Sequence, residues 1–129
     1  MDTSRLKALP LFEGVSDEDL EKISPFVSEV SVSEGKHLVD EGDYAYEFMA
    51  IEDGRADVLR GDEKLADLGP GGYFGELGLY ESDRRNATVV ARSSMRLITL
   101  NQWDMKRLEK MIPSAAERIQ DTVRARRGE

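Results

Sequence analysis

From Val30 to Leu100 the apolar residues fall into short runs with a period of two, each closed by a turn signal. The runs are Val30 and Val32, Leu38 and Val39, and then residues 48–51, 56–59, 65–68, 87–91 and 95–100. Between them stand Ser33-Glu34-Gly35, Glu41-Gly42-Asp43, Glu52-Asp53-Gly54, Gly61-Asp62, Gly69-Pro70-Gly71-Gly72 and Ser93-Ser94. A period of two sends alternate side chains to opposite faces of a strand, and Gly, Asp and Ser supply the turns that reverse it. Seven or eight strands at this spacing predict a β sandwich or jelly roll over residues 30–100. A chain of 129 residues is long enough for one core and short for two, so residues 1–129 are expected to form a single domain.

Helical signals flank the strands. In residues 1–29, Leu6 and Leu9 lie at i, i+3, Pro10 breaks the run, and Ser16 followed by Asp17, Glu18 and Asp19 supplies an N-cap and an acidic first turn before Leu20, Ile23 and Phe26. Leu11, Phe12 and Val15 are expected to staple this segment to the main body. In residues 101–129, Asn101 with Asp104 at the N3 position predicts a helix through Met111, and Pro113 opens a second towards Arg127. Ala116, Ile119 and Val123 give that last helix one apolar stripe. Trp103 and Met111 are read as core residues of the first of the two helices.

Residues 73–90 carry the chemistry. Tyr73-Phe74-Gly75-Glu76-Leu77-Gly78-Leu79 is a glycine-containing turn able to open a short helix, and Arg84-Arg85 leads straight into the β-type run that begins at Ala87. Gly75 and Gly78 let a ligand approach main-chain N–H groups. A helical turn over residues 76–79 would leave unpaired donors facing an anion, and Arg85 would add charge and a bidentate fork. Glu76 repels an anion, so its natural partner is a neutral hydroxyl pair such as a ribose diol. Phosphate and hydroxyl together point to a nucleotide.

Residues 74–79, followed by Arg84-Arg85-Asn86-Ala87-Thr88-Val89, closely resemble the phosphate-binding cassette of cyclic-nucleotide-binding domains, as in the catabolite activator protein and the protein kinase A regulatory subunit. The resemblance implies a β jelly roll of about eight strands with an N-terminal helical segment and two C-terminal helices. It also implies that Glu76 holds the ribose 2′-hydroxyl and Arg85 the cyclic phosphate. Backbone groups of Gly75, Leu77, Gly78, Asn86 and Ala87 would complete the anion site. In the family a C-terminal helix folds over the base, which makes Ile119 and Val123 candidate lid residues; packing on the barrel or pairing with another copy explains their stripe equally well. Two positions depart from the family pattern. Arg84 replaces a frequent proline and competes for the phosphate, although spacing favours Arg85. Asn86 stands where a Thr or Ser hydroxyl accompanies guanine preference, and since it both donates and accepts the base stays open between cAMP and cGMP, with cAMP favoured.

Composition narrows the classes. With 26 acidic and 18 basic residues the formal charge is -8, which opposes nucleic-acid binding. No cysteine is present, so disulfides, thiolate nucleophiles and zinc–cysteine sites are excluded. No apolar run approaches the roughly 18 residues of a membrane span, and no signal-peptide core follows the first residues, so a cytoplasmic location is expected. His37 is the only histidine, too few for the clustered ligands of a jelly-roll metalloenzyme; it reads as a half-exposed strand residue. No catalytic residues, metal site or cofactor are expected. The sequence therefore predicts a cyclic-nucleotide sensor that signals through its last helix to an effector protein or domain, with homodimerisation through that helix as one route. The rivals are an interaction domain that keeps the fold without the ligand, and an enzyme built on the same fold.

Overall fold

The computed structural model of the chain describes residues 2–43, 47–74 and 87–127, with the side chains of residues 123, 126 and 127 outside that description. The N-terminal segment is built from short capped pieces. The Asp2 carboxylate accepts the Ser4 N–H (3.0 Å) at the start of helix α1 (Thr3–Lys7), and Pro10 opens a 3-10 turn at Pro10–Phe12. Ser16 Oγ accepts the Asp19 N–H (3.1 Å) to cap α2 (Asp17–Ile23), as its sequence signature requires. A second 3-10 turn at Ser24–Phe26 ends the helical stretch. Leu6, Leu9, Leu11, Phe12, Val15, Leu20 and Ile23 are buried, so the segment is stapled to the body as its pattern predicts.

Eight strands follow among the described residues: β1 (Ser28–Val32), β2 (His37–Val39), β3 (Glu47–Asp53), β4 (Ala56–Arg60), β5 (Glu63–Leu68), β6 (Tyr73–Phe74), β7 (Thr88–Ala91) and β8 (Met95–Asn101). They form two antiparallel four-stranded sheets, β1-β8-β3-β6 and β2-β7-β4-β5. The mainly β jelly roll expected from the sequence is the observed architecture. Seven of its strands coincide with the apolar runs, and β6, only two residues long, is an addition.

In the first sheet β3, β6 and β8 bury side chains on both faces, whereas the edge strand β1 is mostly exposed. Phe48 and Ala50 of β3, Ile98 and Leu100 of β8 and Tyr73 of β6 join a core with the helices. Their alternates Met49, Ile51, Met95, Leu97 and Phe74 enter the space between the sheets with Ala56, Val89 and Ala91. The period-two pattern thus serves two cores at once. The turn from β3 to β4 presses on the one from β7 to β8. Gly54 has φ +97°, and a Cβ there would stand 2.5 Å from the Ser94 carbonyl oxygen and 2.9 Å from Met95 Cα.

Two C-terminal helices close the outer face of the first sheet: α3 (Gln102–Met111) and α4 (Pro113–Arg127). Asn101 Oδ1 accepts the Asp104 N–H at 2.8 Å and caps α3. Met105 and Leu108 are fully buried, whereas Trp103 is 54% and Met111 63% exposed. The expectation that both are core residues is therefore corrected. At about 100° per residue, a position two before Met105 and one six after it both project away from its stripe. Helix α4 packs on α3 and on the Pro10–Phe12 turn. Its Arg118 guanidinium lies against Gly14, where an added Cβ would clash with Nε, Nη2 and Cζ.

An ion-pair network ties α1 to the first sheet. Arg5 Nε donates to Glu52 Oε2 (2.6 Å) and its Nη2 to Glu29 Oε1 (2.7 Å), while Arg96 flanks Glu52 at 3.8 Å. The hydrogen bonds from Arg5 are the main cause that holds both carboxyl groups below the usual glutamate range.

Two outcomes test this description. Gly54→Ala is expected to cost roughly 3 kcal/mol or more, because a left-handed backbone and a clash with main-chain atoms add; Gly14→Ala should cost about 1–2 kcal/mol, because the Arg118 side chain can swing aside. Equal urea-melt losses for the two variants would contradict the packing difference. Arg5→Ala should destabilise the fold at pH 7. Carboxylates with a lowered folded pKa stabilise above the unfolded value, about 4.3 for Glu, and lose that contribution as pH falls through the folded value. The stability gap between wild type and Arg5→Ala should accordingly shrink below about pH 4; a gap unchanged to pH 3 would remove the electrostatic role.

Candidate functional site

Strand β6 hands the chain from the first sheet to residues 75–86, and β7 receives it in the second. Gly75, Glu76, Leu77, Gly78, Arg84, Arg85 and Asn86 lie outside the described residues, and so do the contacts expected of Glu76 and Arg85. What the structure describes is the frame. Phe74, immediately upstream, points between the sheets and is 7% exposed; Ala87, immediately downstream, is 8% exposed. The described chain thus leaves the first sheet at Phe74 and enters the second at Thr88.

The space between the sheets is lined by apolar side chains. In the second sheet Val39 pairs with Val89, Val89 with Val58, and Val58 with Ala66, which makes one inward-facing row across all four strands. Val89 is buried, Val39 and Val58 are half-buried, and Ala66 is exposed. Across the sandwich, Thr99 pairs with Met49 and Met49 with Phe74. Inward-facing apolar side chains left half-buried offer a surface suited to the apolar face of a ligand. Sequence reasoning gave Val39, Met49, Val58 and Ala66 no place at the site. Period-two alternation carried the signal, since Ala56, Val58 and Ala66 occupy inward registers once β4 and β5 are paired.

Charged groups lie on the outside. Asp57 on the outer face of the second sheet accepts from Arg92 Nε (2.6 Å), the main cause of its lowered pKa, with Lys64 at 3.5 Å. His37 Nδ1 lies 2.6 Å from Asp40 Oδ1, and its side chain is 55% exposed, in keeping with a half-exposed strand residue. Among the described residues no group of three or more His, Cys, Asp or Glu side chains is placed to hold a metal ion, and no helix is long and apolar enough to cross a membrane.

Of the two candidate lid residues, Ile119 is fully buried in the helical core together with Leu108, Ile112, Ala115 and Ala116. The side chain of Val123 lies outside the described residues.

A family model described as "Cyclic nucleotide-binding domain" matches residues 29–110. The chain is 31% identical over 126 residues to the cAMP-dependent protein kinase regulatory subunit of Schizosaccharomyces pombe, covering 97% of this chain and 30% of that protein. It is 32% identical over 121 residues to a cyclic nucleotide-gated potassium channel of Rhizobium etli, covering 94% of this chain and 34% of the channel. Among solved structures, the Thermus thermophilus catabolite activator protein superposes with a TM-score of 0.80 at 27% identity, over 92% of this chain and 57% of that one. The chain thus spans about a third of the length of these two curated relatives.

Burial of Ile119 makes a prediction of its own. Ile119→Ala in the ligand-free protein should cost about 2–5 kcal/mol by urea denaturation, the range for a truncated core aliphatic. A loss under about 0.5 kcal/mol would place this side chain outside the core.

Proposed function

We propose, since this chain belongs to the cyclic nucleotide-binding domain family, that it is a sensor module for a cyclic nucleotide, cAMP in preference to cGMP. Its output is a shift of the C-terminal helix α4, read by a partner protein, by another domain or by a second copy of the chain. In this reading Glu76 accepts from the ribose 2′-hydroxyl and Arg85 forks onto the cyclic phosphate. Main-chain N–H groups of residues 75–78, 86 and 87 complete the anion site. The base lies against the apolar row of Val39, Val58, Val89 and Ala66.

The observation that carries the reading is the apolar row of Val39, Val89, Val58 and Ala66, only partly buried, on the strands that flank the motif: the described chain leaves the first sheet at Phe74 and enters the second at Thr88. A phosphate held by donors of the motif would leave the base to that apolar row. The names of similar proteins, a cAMP-dependent protein kinase regulatory subunit and a cyclic AMP receptor protein, support cAMP as ligand and a regulatory role, and the name of a cyclic nucleotide-gated potassium channel supports an effector that differs between members. The net charge of -8 supports a role without nucleic-acid contact, and we place the module in the cytoplasm.

Calorimetric titration of the protein with cAMP and with cGMP tests the reading. Saturable binding of cAMP, tighter than cGMP, is expected, and Arg85→Ala should weaken it about 10- to 150-fold, as the loss of a charge-assisted contact of about 1.5–3 kcal/mol demands. No heat and no thermal shift with either nucleotide up to millimolar concentration, in protein free of co-purified ligand, would leave a ligand-free interaction domain as the better account.

A further inference from the structure

We propose that Thr88 is a positioning residue for the phosphate-binding arginine, held in place by Glu41; the inference rests on the reading of Arg85 given above. Thr88 opens β7, three residues after Arg85. Its hydroxyl oxygen accepts the backbone N–H of Glu41 at 2.9 Å. Glu41 in turn uses its carboxylate: Oε1 accepts the backbone N–H of Gly61 at 3.1 Å. Three segments therefore meet at one point, the connection after β2, the turn between β4 and β5, and the exit from residues 75–86.

The bracket stands at the first residue of β7. Among the described residues the ladder between β4 and β7 runs from Ala56 with Ala91 to Leu59 with Thr88. On its other side β7 meets β2 at His37 with Val90 and Val39 with Val89, with a register shift between them. The Thr88 hydroxyl adds a side-chain restraint to the main-chain pairing where the strand begins. An arginine that must present a planar fork to a phosphate depends on such a restraint, because its donors work only when the backbone that carries them is fixed. Glu41 is suited to the task despite its charge: the carboxylate is engaged by Gly61, and the bond to Thr88 comes from its main chain. Thr88 itself has no ligand contact to make, since Ala87 and Val89, its neighbours in the strand, are the inward-facing positions.

The test is a double-mutant cycle read by calorimetric titration with cAMP, with a thermal melt of each protein. Thr88→Val keeps the shape and removes the acceptor; Thr88→Ser keeps the acceptor. Each is made in wild type and in Arg85→Lys, which retains charge without the fork. Thr88→Val should weaken cAMP binding about three- to tenfold in the wild-type background, the range of one net hydrogen bond. Thr88→Ser should restore it to within about twofold, and in Arg85→Lys the effect of Thr88→Val should disappear. Glu41→Ala, which frees the Gly61 N–H but leaves the Thr88 bond, should give a smaller loss with the same dependence on Arg85, and it serves if Thr88→Val melts too low to titrate. Wild-type affinity in both Thr88→Val and Glu41→Ala, or equal weakening in both backgrounds, overturns the inference while Arg85→Ala still upholds the binding site. Absence of any nucleotide binding by wild type overturns both.

Discussion

Strands β3 and β8 are buried on both faces, and the rest of the fold depends on that. Each carries one set of side chains for the helical core and an alternate set for the space between the sheets. Fully burying a side chain such as Phe48, Ile51, Leu97 or Leu100 contributes about 1.5–3 kcal/mol, so this pair of strands concentrates much of the hydrophobic stabilisation. It also couples the cores: a one-residue slip of either strand would exchange the two sets and empty both. Strand β6 repeats the arrangement on a smaller scale. Tyr73 turns to the helices, its ring 5.3 Å from that of Phe48, and Phe74 turns inward. The last two described residues before residue 75 thus belong to different cores.

An anion site on a chain with a net charge of -8 cannot rely on the overall field. Beyond about 8–10 Å salt screens exposed charges from one another, so only local donors count. Much of the described basic charge is already committed to carboxylates. Arg5 is held by Glu29 and Glu52, Arg92 by Asp57, and Lys64 by Asp57 and Asp67. These pairs brace helix α1 and the outer face of the second sheet, away from the interior. Residues 75–86 bring two further arginines, Arg84 and Arg85, to the motif.

Most of the fold was legible because the signals were local and redundant. Ser16 and Asn101 each sit three residues before a residue whose N–H they accept, and both cap as their spacing requires. Seven strands announced themselves through alternation bounded by turns. Strand β6 did not, since two residues cannot display a period; only its pairing with β3 defines it. Trp103 and Met111 misled because large apolar side chains in a helix suggest core, whereas the stripe is set by Met105 and Leu108 and the helix turns the other two outward. The candidate site was legible in a different sense. The motif marks which residues could meet a nucleotide, but the apolar row proposed to face the base would be made by Val39, Val58, Val89 and Ala66, ordinary residues from four strands. Their convergence is a property of register between strands, which no single stretch of sequence carries.

The position of Ile119 limits how occupancy could be reported. Helix α4 is held by that side chain in the core and by the Arg118 guanidinium against Gly14. Peeling the helix away would expose Ile119 at a cost of about 1.5–3 kcal/mol and would free Arg118 as well. A ligand shifts such an equilibrium only by its difference in affinity for the two positions, and each 1.4 kcal/mol asks for a factor of about ten. A movement that keeps Ile119 among Leu108, Ile112 and the N-terminal turn asks for far less, because those contacts travel together. The helices before β1 and after β8 share one core, and the strands β3, β6 and β8 meet it through one set of side chains. The lower-cost motion is therefore a rigid shift of that helical layer over the sheet, with Tyr73 at the boundary between the layer and the strand that leads into residues 75–86.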